Sequence, residues 1–142
     1  MTDTRPSFAT PLRFATVGDN CIDRYLSLKQ AAVGGNAVNV AVQLVLEGER
    51  CSYFGAVGRD EAGRWTRKAL AAHGVGLEHL QELGAATAYT DIDVDAAGER
   101  FIAFEDFGAT ALYRPSAADV SALATMDHVH IGWLHAADGL RA

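Results

Sequence analysis

The residues best suited to chemistry in this sequence are Asp23, the pair Gly34-Gly35, and Asn39, which follows the second glycine by one helical turn. Paired glycines let a backbone approach a ligand with no Cβ in the way and allow positive φ. A helix starting directly after them turns its unbonded N–H groups toward whatever lies there. A carboxylate accepts from two neighbouring hydroxyls at once, so Asp23 suits a polyol. Ligands of open α/β sheets bind at the carboxyl ends of the strands, which brings Asp23, just beyond the first strand, near Gly34-Gly35 and Asn39 in space.

Weaker candidates surround this group. Asn36, Asn39, Gln43 and Glu47 recur at three- and four-residue steps and share one helix face, while Ala37, Val38, Val40, Ala41, Leu44, Val45 and Leu46 cover the rest. Such a stripe is by itself a solvated face, but Asn36 and Asn39 fall in the first turn beside the glycines, where an amide can donate and accept. Asp19 and Asn20 follow the first strand, and residues of these types there are usually turn formers bonding their own backbone. The run GAVGRDEAG lacks the Lys-Ser/Thr of a Walker loop and the spacing of a dinucleotide fingerprint, so Asp60 reads as a helix cap.

The elements that position these residues follow from periodicity. Met1 to Pro11 is expected to be a poorly ordered lead-in, and Leu12 to Val17 a buried strand. Asp19 to Val33 reads as a loop with short extended pieces, Asn36 to Glu47 as a helix, and Cys51 to Val57 as a strand. Strand, helix, strand is the right-handed unit of a parallel α/β sheet. A second helix spans Glu61 to His73 and stops at Gly74. Thr90, Ile92 and Val94 alternate with Asp91, Asp93 and Asp95, and after Ala96-Ala97-Gly98 the alternation resumes to Phe104, which predicts a hairpin with one wet face carrying the aspartates. Phe101, Phe104 and Glu105 are candidates there for substrate contact, and alternation leaves open which of them faces inward. Ser116 caps a short helix to Ala124, and His128 to Ile131 forms a further strand.

Composition narrows the function classes. The 142 residues suffice for one domain, and 12 Lys and Arg against 18 Asp and Glu leave a net charge of −6 with no basic cluster, which argues against nucleic acid. No apolar run is long enough to span a membrane and no secretion signal is present, so a cytoplasmic protein is expected. Cys21 and Cys51 form no CxxC motif and are expected to be reduced, Cys51 in the core. His128 and His130 share a strand face, but no third ligand sits at a supporting spacing and no metal site is expected.

From Gly34 to Gly58 the sequence resembles the first signature of the ribokinase-like, or PfkB-type, carbohydrate kinases, through Gly34-Gly35, Ala37, Asn39, Ala41, Gly48 and Gly58. The resemblance extends to GDNCIDRY, similar to that family's first strand and following loop, and to GAVGRDEAG, similar to a later strand-to-helix turn. The pairing of GDNCID with GGNAVNVAV is most similar to the members that act on fructoselysine. The resemblance implies a parallel central sheet flanked by helices, with a small β-sheet lid at about 25–33 and 88–104 that closes over the sugar and often forms a homodimer interface. It assigns Asp23, Gly34, Gly35 and Asn39 to sugar binding, beside which Asn20, Asn36 and Phe101 stand as weaker substrate candidates on residue type and position alone. It also implies ATP and Mg2+ as cofactors of a full-length member. The family's second motif, of the type D-T-x-G-A-G-D, supplies the catalytic Asp and is absent from this sequence, so no catalytic residue is assigned. The chain is therefore expected to represent the N-terminal, substrate-binding and lid half of such a kinase, inactive alone and badly behaved as a monomer. A non-catalytic sugar-binding module is the competing reading.

Overall fold

The computed structural model describes residues 10–135. Of the lead-in expected at 1–11, only Thr10 and Pro11 fall within that range.

The first strand, β1 (Arg13–Val17), ends at Gly18, whose φ of 129° is open to glycine and little else. The chain then runs into β2 (Cys21–Tyr25) and β3 (Gln30–Gly34). These two pair antiparallel, Cys21 opposite Gly34 and Asp23 opposite Ala32. The segment expected to be a loop with extended pieces is thus a regular ladder. Its residues lack the alternation that marks a strand from sequence, and Lys29, at φ 51°, makes the turn without a glycine. After β3 come α1 (Asn36–Leu46), β4 (Arg50–Gly58) and α2 (Glu61–Ala72), close to expectation. The remainder comprises β5 (Leu80–Leu83), β6 (Tyr89–Val94), β7 (Arg100–Asp106), α3 (Gly108–Leu112), α4 (Ala117–Leu123) and β8 (His128–Ile131). Neither β5 nor α3 was expected, since both are short and α3 starts at Phe107 with no side-chain cap.

Two sheets result. The larger has the order β5-β4-β1-β8 with every pairing parallel. On β4, Cys51, Tyr53 and Val57 pack with Ala37, Val38 and Ala41 of α1 and Leu70 of α2. Phe54 and Ala56 point the other way, to Ala109 of α3 and the partly buried Ala122 and Leu123 of α4. Period-two alternation on one strand therefore divides the core between two helical layers. Tyr53 and Phe54 are wholly buried, and withdrawing a side chain of this size from water contributes about 1.5–3 kcal/mol.

The smaller sheet has the order β3-β2-β6-β7, with β2 and β6 parallel and β6 and β7 antiparallel across a bulge between Asp91 and Ile92. The hairpin expected at 88–104 is present and runs two residues further, to Asp106. Asp95 is exposed as expected, whereas Asp91 is less solvated than expected. Asp91 meets Arg24 two-pronged, Nε to Oδ1 at 2.6 Å and Nη2 to Oδ2 at 2.8 Å, and Asp95 Oδ1 accepts from the backbone N–H groups of Ala97 and Glu99 to close the turn. The Arg24 guanidinium also lies 3.7 Å over the Tyr89 ring, so alternation had shown a polar face whose partner came from a strand it did not reveal.

Candidate functional site at the junction of the two sheets

The site begins with Asp19, directly after β1. Its Oδ2 accepts from the N–H of Asn36 at 2.6 Å, and its Oδ1 from the N–H groups of Ala37 at 3.3 Å and Trp133 at 2.9 Å. Helix α1 has Gly35 as its N-cap residue and no capping side chain of its own, so Asp19 satisfies its first donors from across the chain. The expected local turn former is in fact a long-range anchor joining β1, α1 and the segment after β8. Gly35, at φ 111°, makes this possible, because a Cβ there would sit 2.7 Å from both Asn20 Cα and Asp19 O. A Cβ on Gly34 would collide with the Asp23 carboxylate, Oδ2 first. Both glycines thus make room for the chain's own residues, one of them the candidate sugar ligand.

Asn20 is 1% exposed and its Nδ2 donates to Tyr53 Oη at 2.9 Å and Ala56 O at 2.7 Å. Tyr53 Oη in turn donates to Gly18 O at 2.8 Å, and burial holds its phenol well above the ordinary range. The carbonyl oxygen of Asn20, Oδ1, is buried with no partner among the described residues. Cys21 Sγ donates to Asp23 Oδ1 at 3.0 Å. Burial, and then the neighbouring Asp23, push the Cys21 thiol up to about 12, so it remains a protonated donor rather than a nucleophile.

A cleft of about 250 Å³ opens beside these residues, with Asp19, Asn20 and Cys21 on one side and Thr90, Glu105 and Trp133 on others. Strand register orients its small-sheet wall. Asp23 stands opposite Thr90, and Thr90 opposite Glu105, so the three share one face. Phe104 is paired with Asp91 and Phe101 with Asp93, which alternation puts on the far face, with Arg24 and Tyr89. Of the three lid candidates, register brings only Glu105 to the side of Asp23.

The other candidates lie apart. Asn36 Oδ1 accepts from His130 Nε2 at 2.8 Å, which ties α1 to β8. Asn39 is exposed on α1 and lines a separate groove of about 350 Å³ with Gln43 and, from α2, His73. Phe101 is half exposed on β7. Among the described residues no group of three or more His, Cys, Asp or Glu is placed to hold a metal ion. Thr90, Thr110 and Trp133 escaped sequence reasoning, since a threonine in a strand and a tryptophan after one carry no signal of their own.

An open parallel sheet with helices on both faces, meeting a smaller sheet where its first strand ends, defines the ribokinase-like class. The pattern of the pfkB family carbohydrate kinases matches residues 27–139, and the chain belongs to that family. Over 125 residues it is 37% identical to fructoselysine 6-kinase of Escherichia coli strain K12, covering 87% of this chain and 48% of that protein. It is 32% identical to a fructosamine kinase of Bacillus subtilis strain 168 over 63% of this chain and 31% of that one. The chain thus spans about half the length, or less, of the relatives it matches. Among solved structures, Arabidopsis thaliana ribokinase complexed with ribose and ATP superposes with a TM-score of 0.76 at 18% identity, over 86% of this chain and 45% of that one. Ribokinase from Thermotoga maritima gives 0.73 at 20% identity, over 83% and 44%.

Proposed function

We propose that the chain is the acceptor-binding and lid half of an ATP-dependent kinase that phosphorylates a hydroxyl of a sugar derivative, with fructoselysine the first substrate to test. The observation that carries this reading is the position of Asp23. Its carboxylate lies against Gly34, shares a sheet face with Thr90 and Glu105, and neighbours the cleft through Cys21. A carboxylate held on a rigid strand is suited to receive two hydroxyls of one sugar without reorganising. The relatives named for fructoselysine and fructosamine favour that substrate class.

Phosphoryl transfer needs an oriented hydroxyl, a proton acceptor and neutralised phosphate charge. In this reading Asp23 and the backbone at Gly34 and Gly35 hold the sugar, Asn39 is the fourth contact that the family pattern implies although it lines the separate groove, and Asn20, Asn36 and Phe101 are weaker candidates. The ATP and Mg2+ that the family implies would be held around its second motif, of the type D-T-x-G-A-G-D, which does not occur in these 142 residues. The chain's own part is to bind and orient the acceptor. Pairing through the exposed β7 strand would make a homodimer, and a kinase that draws on ATP works in the cytoplasm, where we place it.

Calorimetric titration with fructoselysine, fructose and ribose, and separately with magnesium ATP, tests the proposal. Saturable sugar binding that Asp23→Ala reduces at least about a hundredfold, as expected when a buried polar contact to a hydroxyl is lost, supports it. An unchanged affinity in that variant removes Asp23 from the site. Turnover of ATP by the chain would overturn the division of labour proposed here.

A further inference from the structure

Binding sugar hydroxyls through Asp23 leaves two large aromatic side chains of the neighbouring cleft without a task. Phe107 is 38% and Trp133 40% accessible, and both line the cleft. They stack on each other with centroids 4.7 Å apart and 21° between planes. His135 packs on both, 5.7 Å from Phe107 and 5.2 Å from Trp133, and does not itself line the cleft. Phe107 follows β7 of the small sheet and Trp133 follows β8 of the large one, so the pair joins the two sheets. Each ring is carried on fixed backbone. The Trp133 N–H donates to Asp19 Oδ1 at 2.9 Å, its carbonyl oxygen lies where a Cβ on Gly18 would approach to 2.6 Å, and a Cβ on Gly132 would meet Asp19 Oδ1 at 2.5 Å. Next to Phe107, the N–H of Gly108 donates to Asp106 Oδ1 at 2.9 Å and that of Ala109 to Ala86 O at 2.7 Å. Apolar surface of this size facing water is unfavourable, so a rigid aromatic pair in a concave site points to a ligand that covers it.

Another wall of the cleft leads directly to Asp23. Thr90 lines it and stands opposite Asp23 in the strand register, and Cys21 lines it and donates to Asp23 Oδ1. The cleft volume of about 250 Å³ falls below the roughly 300–1,000 Å³ of sites for drug-sized molecules and suits a single small ring. A sugar ring carries hydroxyls around its rim and C–H bonds on its face, and the electron-rich face of an aromatic ring attracts polarised C–H groups. Resting on the sugar-binding reading above, we propose that Trp133 and Phe107 form a stacking platform for the apolar C–H face of the acceptor's ring, and that they select a cyclic acceptor over an open-chain polyol. Asp23 holds the hydroxyl rim while the platform fixes the plane of the ring, so the hydroxyl to be phosphorylated keeps one orientation. Because one aromatic ring belongs to each sheet, a ligand lying on the platform touches both.

The test compares fructose with glucitol, an open-chain polyol obtained by reducing it, which keeps the carbon skeleton and the hydroxyls and has no ring face. Both are titrated calorimetrically against the parent chain, Trp133→Leu and Trp133→Phe. The parent is expected to bind fructose at least about tenfold more tightly than glucitol. Trp133→Leu keeps an apolar side chain without a ring and is expected to bring that ratio to about one by weakening fructose, whereas Trp133→Phe restores most of it. Phe107→Leu is expected to lower the ratio in the same direction, and thermal unfolding coincident with the parent's shows for each variant that the fold survives. Fluorescence gives a second readout, since the sequence holds two tryptophans and in a Trp65→Phe background Trp133 alone emits. Its emission is expected to change saturably with fructose over the concentrations at which calorimetry records binding. Equal affinities in the parent, or a ratio that Trp133→Leu leaves unchanged in a folded protein, would overturn the platform and leave sugar binding at Asp23 intact. Asp23→Ala removes a hydroxyl contact and keeps the rings, so it should weaken both ligands alike and tests the sugar reading separately. If neither ligand binds the parent chain, both readings fall.

Discussion

Asp23 and Gly34 work as a pair. The sequence marks each as a candidate by type and position, and the structure adds that the missing Cβ of one is the space occupied by the carboxylate of the other. Gly34→Ala should therefore act through Asp23. The added methyl displaces the carboxylate, and sugar affinity should fall by an order of magnitude or more with a stability loss of about 1–3 kcal/mol from overpacking. Titration beside urea unfolding checks this, and unaltered sugar affinity in a folded Gly34→Ala protein would show that Asp23 can turn away without consequence. Asp19 teaches the opposite lesson about legibility. Its type and place pointed to a local turn, and its three partners lie at positions 36, 37 and 133, so no window of sequence contains the information.

Local rules did well at the element scale wherever capping and alternation were strong. Asp60 caps α2, accepting from Gly63 N at 2.8 Å, and also accepts from Thr87 N at 2.8 Å and Thr87 Oγ1 at 2.6 Å, pinning the chain before β6 to the start of that helix. Ser116 and Asp119 form a reciprocal capping box on α4. Burial alone would raise the Asp60 carboxyl, but hydrogen bonds from Thr87 and Gly63 outweigh it and leave the pKa below the ordinary value. Asp119 is likewise lowered, burial opposing and Ser116, His79 and Gln81 prevailing. A carboxyl depressed on folding stabilises above its unfolded pKa, about 3.9, and loses that contribution as the pH falls through the folded value. Asp60→Ala should accordingly cost about 1–2 kcal/mol at pH 7, the loss of a cap, and the gap between variant and parent should narrow below about pH 4. Urea unfolding at pH 7 and pH 3 measures it, and a gap of constant size would mean that the charge on Asp60 contributes nothing.

For the molecule as a whole, β7 is exposed along its length, with Phe101 50%, Ile102 59% and Phe104 54% accessible. An outer strand carrying large apolar groups invites pairing. Ile131 on the outer strand β8 is 62% accessible, a second exposed edge. Concentration-dependent association is the expected behaviour. If the lid forms the interface, Phe101→Lys combined with Phe104→Lys on the face away from Asp23 should shift sedimentation toward monomer, whereas an unchanged profile would move the contact to β8. Among the described residues no helix is long and apolar enough to cross a membrane.

By itself the sequence determined the class of fold, the two central strands with the helix between them, the hairpin, the caps and the candidacy of Asp23, Gly34, Gly35 and Asn39. Each of these rests on spacing within one segment or on a run of motif positions, and such information is written locally. Tertiary structure decided which candidates meet. It placed Glu105 on the side of Asp23 and Phe101 and Phe104 on the other, because the face of a strand depends on the register chosen by its neighbours and on one bulge. It also set Asn39 in a separate groove, turned Asp19 into an anchor, and left Asn20 Oδ1 without a donor beside a negatively charged cleft. These outcomes depend on contacts between residues far apart in the chain, and only packing assigns them.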